Sequence, residues 1–121
     1  MARTAVPYSN LVANGSLATP SGTTLDATND HVIAAAKPEL TVLVFTNTDT
    51  NPHIVTVKAG TYPPALAAGQ GDKTFTVAAS GSAYFGPFES GRFLQNDGSV
   101  QIDIETGHAG KVTALLVPRA T

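Results

Sequence analysis

The residues in this chain with the most chemical potential are its three histidines, His31, His53 and His108. His31 and His53 each open a predicted strand, and His108 lies in the turn Thr106-Gly107-His108-Ala109-Gly110. None stands at metal-ligand spacing from another histidine or a carboxylate, so each is predicted to be a solvated or hydrogen-bonded histidine at a strand end. Asp103 and Glu105 lie two residues apart, which puts them on one polar face of an alternating strand rather than across a substrate. Asp97-Gly98 matches a fragment of a calcium loop, but the run of acidic positions and the closing glutamate are absent. Ser80 in Ala79-Ser80-Gly81 and Ser90 in Glu89-Ser90-Gly91 lack the Gly-x-Ser-x-Gly context of a nucleophile elbow. Gly69-Gln70-Gly71-Asp72 lacks the Gly-Lys-Ser/Thr ending and the following helix of a phosphate cradle. The sequence therefore predicts no metal, no cofactor and no catalytic group, and a binding or structural module rather than an enzyme.

Composition narrows the partners. The 121 residues contain no cysteine, so disulfides and thiolate chemistry are excluded. Charged residues make up 13% of the chain, about half the ~25% of ordinary soluble domains. Thr, Ser, Asn, Gly and Ala stand where Lys and Glu usually would. Seven basic residues are scattered singly and the net charge is −2, which predicts neither a nucleic-acid partner nor an anionic membrane. No basic segment followed by an apolar core opens the chain, and no stretch approaches the ~20 apolar residues of a membrane span. The expectation is a soluble product made in a cytoplasm. Asn14-Gly15-Ser16 matches a glycosylation sequon, a match of little weight without a signal peptide.

The elements that must position any site are strands. Leu40–Phe45 is a β-branched run with apolar residues on both faces, predicted to be a central strand with something covering each side. His53–Lys58 alternates, and Asn47-Thr48-Asp49-Thr50-Asn51-Pro52 between them predicts a β-hairpin with a loop. Further strands are predicted at His31–Ala35, ended by Lys37-Pro38, and at Lys73–Ala78, with Phe75 and Val77 on one face. Ser82–Phe88 is placed at an edge or bulge by Gly86-Pro87. Arg92–Gln95 is predicted to enter a tight turn at Asn96-Asp97-Gly98-Ser99. Val100–Glu105 points Val100, Ile102 and Ile104 inward, and Lys111–Pro118 carries apolar residues on both faces. The glycine- and proline-rich stretch from Ala59 to Asp72 predicts a long loop, functional or flexible, with one short turn at Pro64–Ala68.

Seven to nine short antiparallel strands without an amphipathic helix predict an all-β fold, a β-sandwich (Ig-like or jelly-roll-like) in preference to a small barrel. Residues 21–121 form the single predicted sandwich domain. Residues 1–20 are predicted to be an N-terminal arm. Two readings of the arm stand side by side: one edge strand near Ser9–Ala13, or apolar groups buried on a partner.

Several segments together resemble a known family. They are Val42–Phe45 with Thr46-Asn47-Thr48, Val55-Thr56-Val57-Lys58-Ala59-Gly60, and Pro63-Pro64-Ala65 through Gly69-Gln70-Gly71-Asp72. Gly86-Pro87-Phe88-Glu89-Ser90-Gly91-Arg92-Phe93 and Gln95-Asn96-Asp97-Gly98-Ser99 complete the pattern. From about Asp26 onward the chain resembles the minor capsid, or head decoration, proteins of actinobacterial tailed phages. The resemblance implies a virion protein on the outer surface of an icosahedral capsid, bound to the major capsid protein, a homo-oligomer with a trimer as one option, and stabilising the shell. It carries over no catalytic residue. On that reading Val6, Tyr8, Leu11 and Leu17 of the arm and Tyr62, Pro63, Pro64 and Gln70 of the long loop are the expected contacts with the capsid or a neighbouring copy. Deleting residues 2–20 is then expected to abolish capsid binding with the fold intact. A tail or neck component of the same virion, and a carbohydrate-binding module using Tyr8, Tyr62 or Tyr84, are the alternatives.

Overall fold

The computed structural model describes residues 2–63 and 65–118. It is mostly β, with ten strands: β1 Thr4–Ala5, β2 Tyr8–Asn10, β3 Thr23–Thr24, β4 His31–Ile33, β5 Thr41–Thr46, β6 His53–Val57, β7 Lys73–Val77, β8 Ser82–Phe85, β9 Val100–Ile104 and β10 Lys111–Leu116. One α-helical turn, α1, spans Ser90–Phe93. The strands form two sheets, a first in the order β1-β4-β9-β6-β7 and a second in the order β2-β10-β5-β8, with β3 also pairing β10.

Both sheets are mixed, because β1 runs parallel to β4 and β2 runs parallel to β10. The expectation of antiparallel strands alone is thereby corrected. The expected hairpin over Leu40–Lys58 is corrected too: β5 pairs with β10 and β8, whereas β6 pairs with β7 and β9 in the other sheet. Asn47–Pro52 is an arch between sheets. Its physical cause is the buried side chain of Asn47, 2% exposed. Its Nδ2 donates to Asn51 O at 2.9 Å and Ala78 O at 3.3 Å, and its Oδ1 accepts from Asp49 N at 3.0 Å. These bonds satisfy backbone groups that a sheet ladder would otherwise take.

The inward faces of both sheets share one core. Leu43, Phe45, Val112 and Ala114 of the second sheet meet Ile33, Val55, Val57, Val77, Ile102 and Ile104 of the first. The alternation Val100, Ile102, Ile104 is buried as the sequence indicates. A run of rings joins the layers, with Phe75 of β7 stacked on Phe85 of β8 at 4.3 Å and Phe88 meeting Phe75 and Phe93 edge-on.

The segment Arg92–Gln95, predicted to enter the tight turn, is the end of α1 and its exit. Glu39 explains this, since its carboxylate accepts from Ser90 N at 2.8 Å and Ser90 Oγ at 2.6 Å, an anion at the start of the turn. The long loop is clamped onto α1. Gly60 N donates to Arg92 O, Ala67 N to Gly91 O, and Arg92 Nε reaches Gly71 O at 3.0 Å. A Cβ on Gly60 would sit 2.2 Å from Leu94 O, so glycine is required for that approach. The short turn falls at Ala68–Gln70, starting four residues beyond its predicted start at Pro64.

The N-terminal arm is integral to the fold. β1 lies in the first sheet and β2 in the second, with Pro7 between them and Val6, 3% exposed, inside the core. Arg3 Nη1 pairs with Asp103 Oδ1 at 2.7 Å. His31 closes this corner, fully buried, with Nδ1–H donating to Thr4 O at 3.1 Å and Nε2 accepting from Asp26 N at 3.0 Å. Burial pushes its pKa down and keeps it neutral. Removing residues 2–10 will therefore lower the urea midpoint sharply rather than leave the fold intact, and Val6→Ala will cost about 2 kcal/mol in the same experiment. Asn47→Ala will cost about 1–3 kcal/mol by orphaning the arch backbone, measured by urea unfolding followed by circular dichroism.

Candidate functional site

A close grouping of titratable side chains lies where the arch after β5 meets the end of β9. His53 has both ring nitrogens occupied, Nε2 by Asp49 Oδ2 at 2.5 Å and Nδ1 by Glu105 Oε1 at 2.6 Å. Carboxylates only accept, so both ring nitrogens donate and the ring is an imidazolium. The bonds to Asp49 and then Glu105 raise its pKa, and the bond to His53 holds Asp49 below its usual range. His108 stacks on His53 with centroids 5.4 Å apart and planes 13° from parallel. Burial lowers the pKa of His108, and its Nε2–H donates to Thr46 O at 3.3 Å. With both nitrogens donating, His53 offers no lone pair, and among the described residues no group of three or more acidic or histidine side chains is placed to hold a metal ion. This grouping latches the arch to the turn after β9.

The two outer faces of the molecule differ in charge. The first sheet carries a chain of ion pairs, with Arg3–Asp103 at 2.7 Å, Lys58–Asp103 at 3.8 Å and Lys58–Asp72 at 3.0 Å. Among the described strands of the second sheet, Lys111 is the sole charged residue. Register explains the composition of that face. Leu43 and Phe45 point into the core, so Val42, Val44 and Thr46 point out; β10 contributes Thr113 and Leu115, and β8 contributes Ser82 and Tyr84. Tyr84 lies beside Val44, and Thr113 lies on the other side of Val44.

Over these side chains runs an open groove of about 320 Å³. Val44, Thr113 and Leu115 contribute from the sheet, Leu11, Leu17 and Pro20 from the loop after β2, and Tyr84 from the edge strand. Tyr84 is 72% exposed and Leu17 38%. Lys111 also borders the groove, its Nζ bonded to Thr24 Oγ1 at 2.8 Å. The expected covering of both faces of β5 is thus partial, by a loop rather than a layer. Such a groove can hold apolar groups, with Lys111 and several hydroxyls at its border.

The candidate contact residues fall into separate places. Leu11 and Leu17 come together at the groove. Val6 is buried in the core and cannot touch a partner, because β1 and β2 cross between sheets on either side of it. Tyr8 is half-buried, its hydroxyl 2.7 Å from Thr41 Oγ1 and accepting from Lys37 N at 2.8 Å. Tyr62, 70% exposed, Pro63 and Gln70 are exposed on the loop clamped to α1 and do not line the groove. Pro64 lies outside the described residues. Val44, Thr113 and Leu115 were missed as site residues. Their signal was the apolar character of both faces in two strands that proved to be neighbours.

No helix among the described residues is long and apolar enough to cross a membrane. No protein-family model, curated protein or solved structure matches the chain.

The His53 latch gives stability a pH dependence of definite sign. A raised histidine pKa stabilises the fold fully below the ordinary value of 6.5 and loses that contribution as pH rises through the folded value. The lowered Asp49 pKa acts above 3.8 and is lost as pH falls through its folded value. The difference in thermal midpoint between the parent and His53→Gln will therefore shrink from about pH 5 to about pH 9. A difference independent of pH would leave only ring packing as the role of His53.

Proposed function

We propose that this chain is a structural module that docks its neutral face on a repeated protein surface, as a head decoration protein on the outside of an icosahedral capsid. The observation that carries the reading is the segregation of charge: ion pairs on the outer face of the first sheet, one lysine and an apolar groove on the second. A face of Val, Leu, Thr and Tyr costs little to desolvate, so a modest contact is favourable without a matched pattern of charges. Repeated over a lattice, such contacts hold a shell firmly through multivalency.

The fold is proposed to be a β-sandwich of the jelly-roll kind. The strand order supports this over an Ig-like arrangement. Apart from β2–β3 and the β6–β7 hairpin, successive strands alternate between sheets. With β3, β10, β5 and β8 facing β4, β9, β6 and β7, two four-stranded layers interleave as in a double-sheet jelly roll. Viral capsid domains and lectins both use that architecture, so fold alone does not choose between shell and sugar. The groove favours the shell. Tyr84 is its sole aromatic residue, and Tyr62 lies elsewhere, so no paired ring platform for a saccharide is formed.

The test is co-sedimentation of the purified chain with mature empty heads, titrated to saturation. Binding will saturate at a fixed ratio to the capsid subunits. The double variant Leu17→Glu/Leu115→Glu will weaken it by at least about tenfold, or ~1.4 kcal/mol, with its circular dichroism spectrum unchanged. Saturation at a few copies per particle would move the protein to the neck or tail. No binding at high excess would discard the capsid role.

A further inference from the structure

Five of the described strands lie at the edges of the two sheets, and they are not alike. β1 has two residues and is followed by Pro7. β2 and β3, three and two residues long, divide one edge of β10 between them. β7 begins with Lys73. Short length, proline and lysine are the devices that keep sheet edges from pairing with other chains. β8 is also short, at four residues, and Pro87 follows it as Pro7 follows β1, but it is the longest of the described edge strands that carry no charged residue. It pairs with β5 on one side only, it carries the 72% exposed Tyr84, and it lies within a stretch with no charged residue between Lys73 and Glu89.

We propose that β8 is the contact through which two copies of this chain associate, antiparallel about a two-fold axis, so that the second sheet continues from one copy into the other. The occupant is a second copy because of charge. In an isologous contact each residue meets the same surface it belongs to, so any net charge on the strand would face its own sign. A strand without charge is self-complementary in this respect. Its side-chain alternation gives a second constraint: outer faces stay continuous only if outward residues lie opposite outward residues. Tyr84 opposite its own copy satisfies this and covers the two exposed rings with each other on the outer face. The grooves beside Val44 on the two copies would then lie on one continuous face, doubling the area offered to a lattice. Tyr84 borders the groove as well as the axis, so the association is tested without any groove ligand present.

Sedimentation of the full chain in the absence of capsid, across a range of concentrations, tests it. The expected result is a monomer–dimer equilibrium in which Tyr84→Lys raises the dissociation constant at least tenfold, with circular dichroism unchanged and the thermal midpoint unchanged at concentrations low enough that the parent is monomeric. Ile54→Lys, on the outer face of a strand paired on both sides, will leave the dimer intact. Because the chain has no cysteine, Tyr84→Cys places a single thiol at the axis, and oxidation will link two copies covalently while Ile54→Cys will not. A chain that stays monomeric throughout, a dimer indifferent to Tyr84→Lys, or equal cross-linking of the two cysteine variants would overturn the proposal.

Discussion

Chain crossing between sheets is possible here only because the backbone at each end of the core finds partners outside the ladders. Asn47 is the central case. Its carboxamide bonds the far side of its own arch, at Asn51, and the neighbouring arch, at Ala78, while its backbone N–H donates to Gly81 O at 2.8 Å. Asp49 O accepts from Ser80 N at 3.0 Å in the same place. Two crossings are tied together by one buried amide. The β5–β6 and β7–β8 connections then have fixed spacing, which sets the gap between the sheets and allows Phe75 and Phe85 to stack across it. Most contacts in such a topology are remote in sequence, and domains of this kind fold slowly for that reason.

The same economy of polar groups explains the surface. Where the chain has charges it uses them to hold strands in place: Arg3 reaches Asp103 and the carbonyl of Ile102, and Asp30 Oδ1 accepts from Ile104 N at 2.7 Å. Asp26 accepts from Thr4 Oγ1 and from the Asn29 backbone and side chain, which lowers its pKa to about 2 and pins β1 beside the turn before β4. These anchors cluster on the first sheet and its edges. The second sheet, held by its ladders and by the core beneath, needs few of them. Among its described strands Lys111 is the one charge.

Periodicity made the strands legible, because the pleat forces alternation wherever one face is buried. Val100, Ile102 and Ile104 were assigned to the core from spacing alone, and Gly86-Pro87 correctly placed β8 at an edge. Pairing was less legible. Asn47–Pro52 has the residues of a hairpin loop, and nothing local distinguishes a return to the same sheet from a crossing to the other; the difference lies in bonds to Ala78 and Gly81, about thirty residues away. Glu39 turns Ser90–Phe93 into a helical turn from 51 residues away. The groove was half visible. Apolar residues on both faces of Leu40–Phe45 and Lys111–Pro118 predicted a covering on each side, but only the register showed that the two strands adjoin.

The parallel pairing of β2 with β10 has a mechanical consequence. Tyr8–Asn10 lies beside Ala114–Leu116 with both strands pointing the same way. Tension applied ahead of β1 and beyond β10 therefore pulls along the strands in opposite senses, and the hydrogen bonds between them bear the load together in shear. Peeling, in which bonds break singly, is the weaker geometry. Pro7 carries the segment onward into β1, so the same pull also loads the first sheet through its pairing with β4. The molecule is thus braced in both layers against being drawn out by its ends.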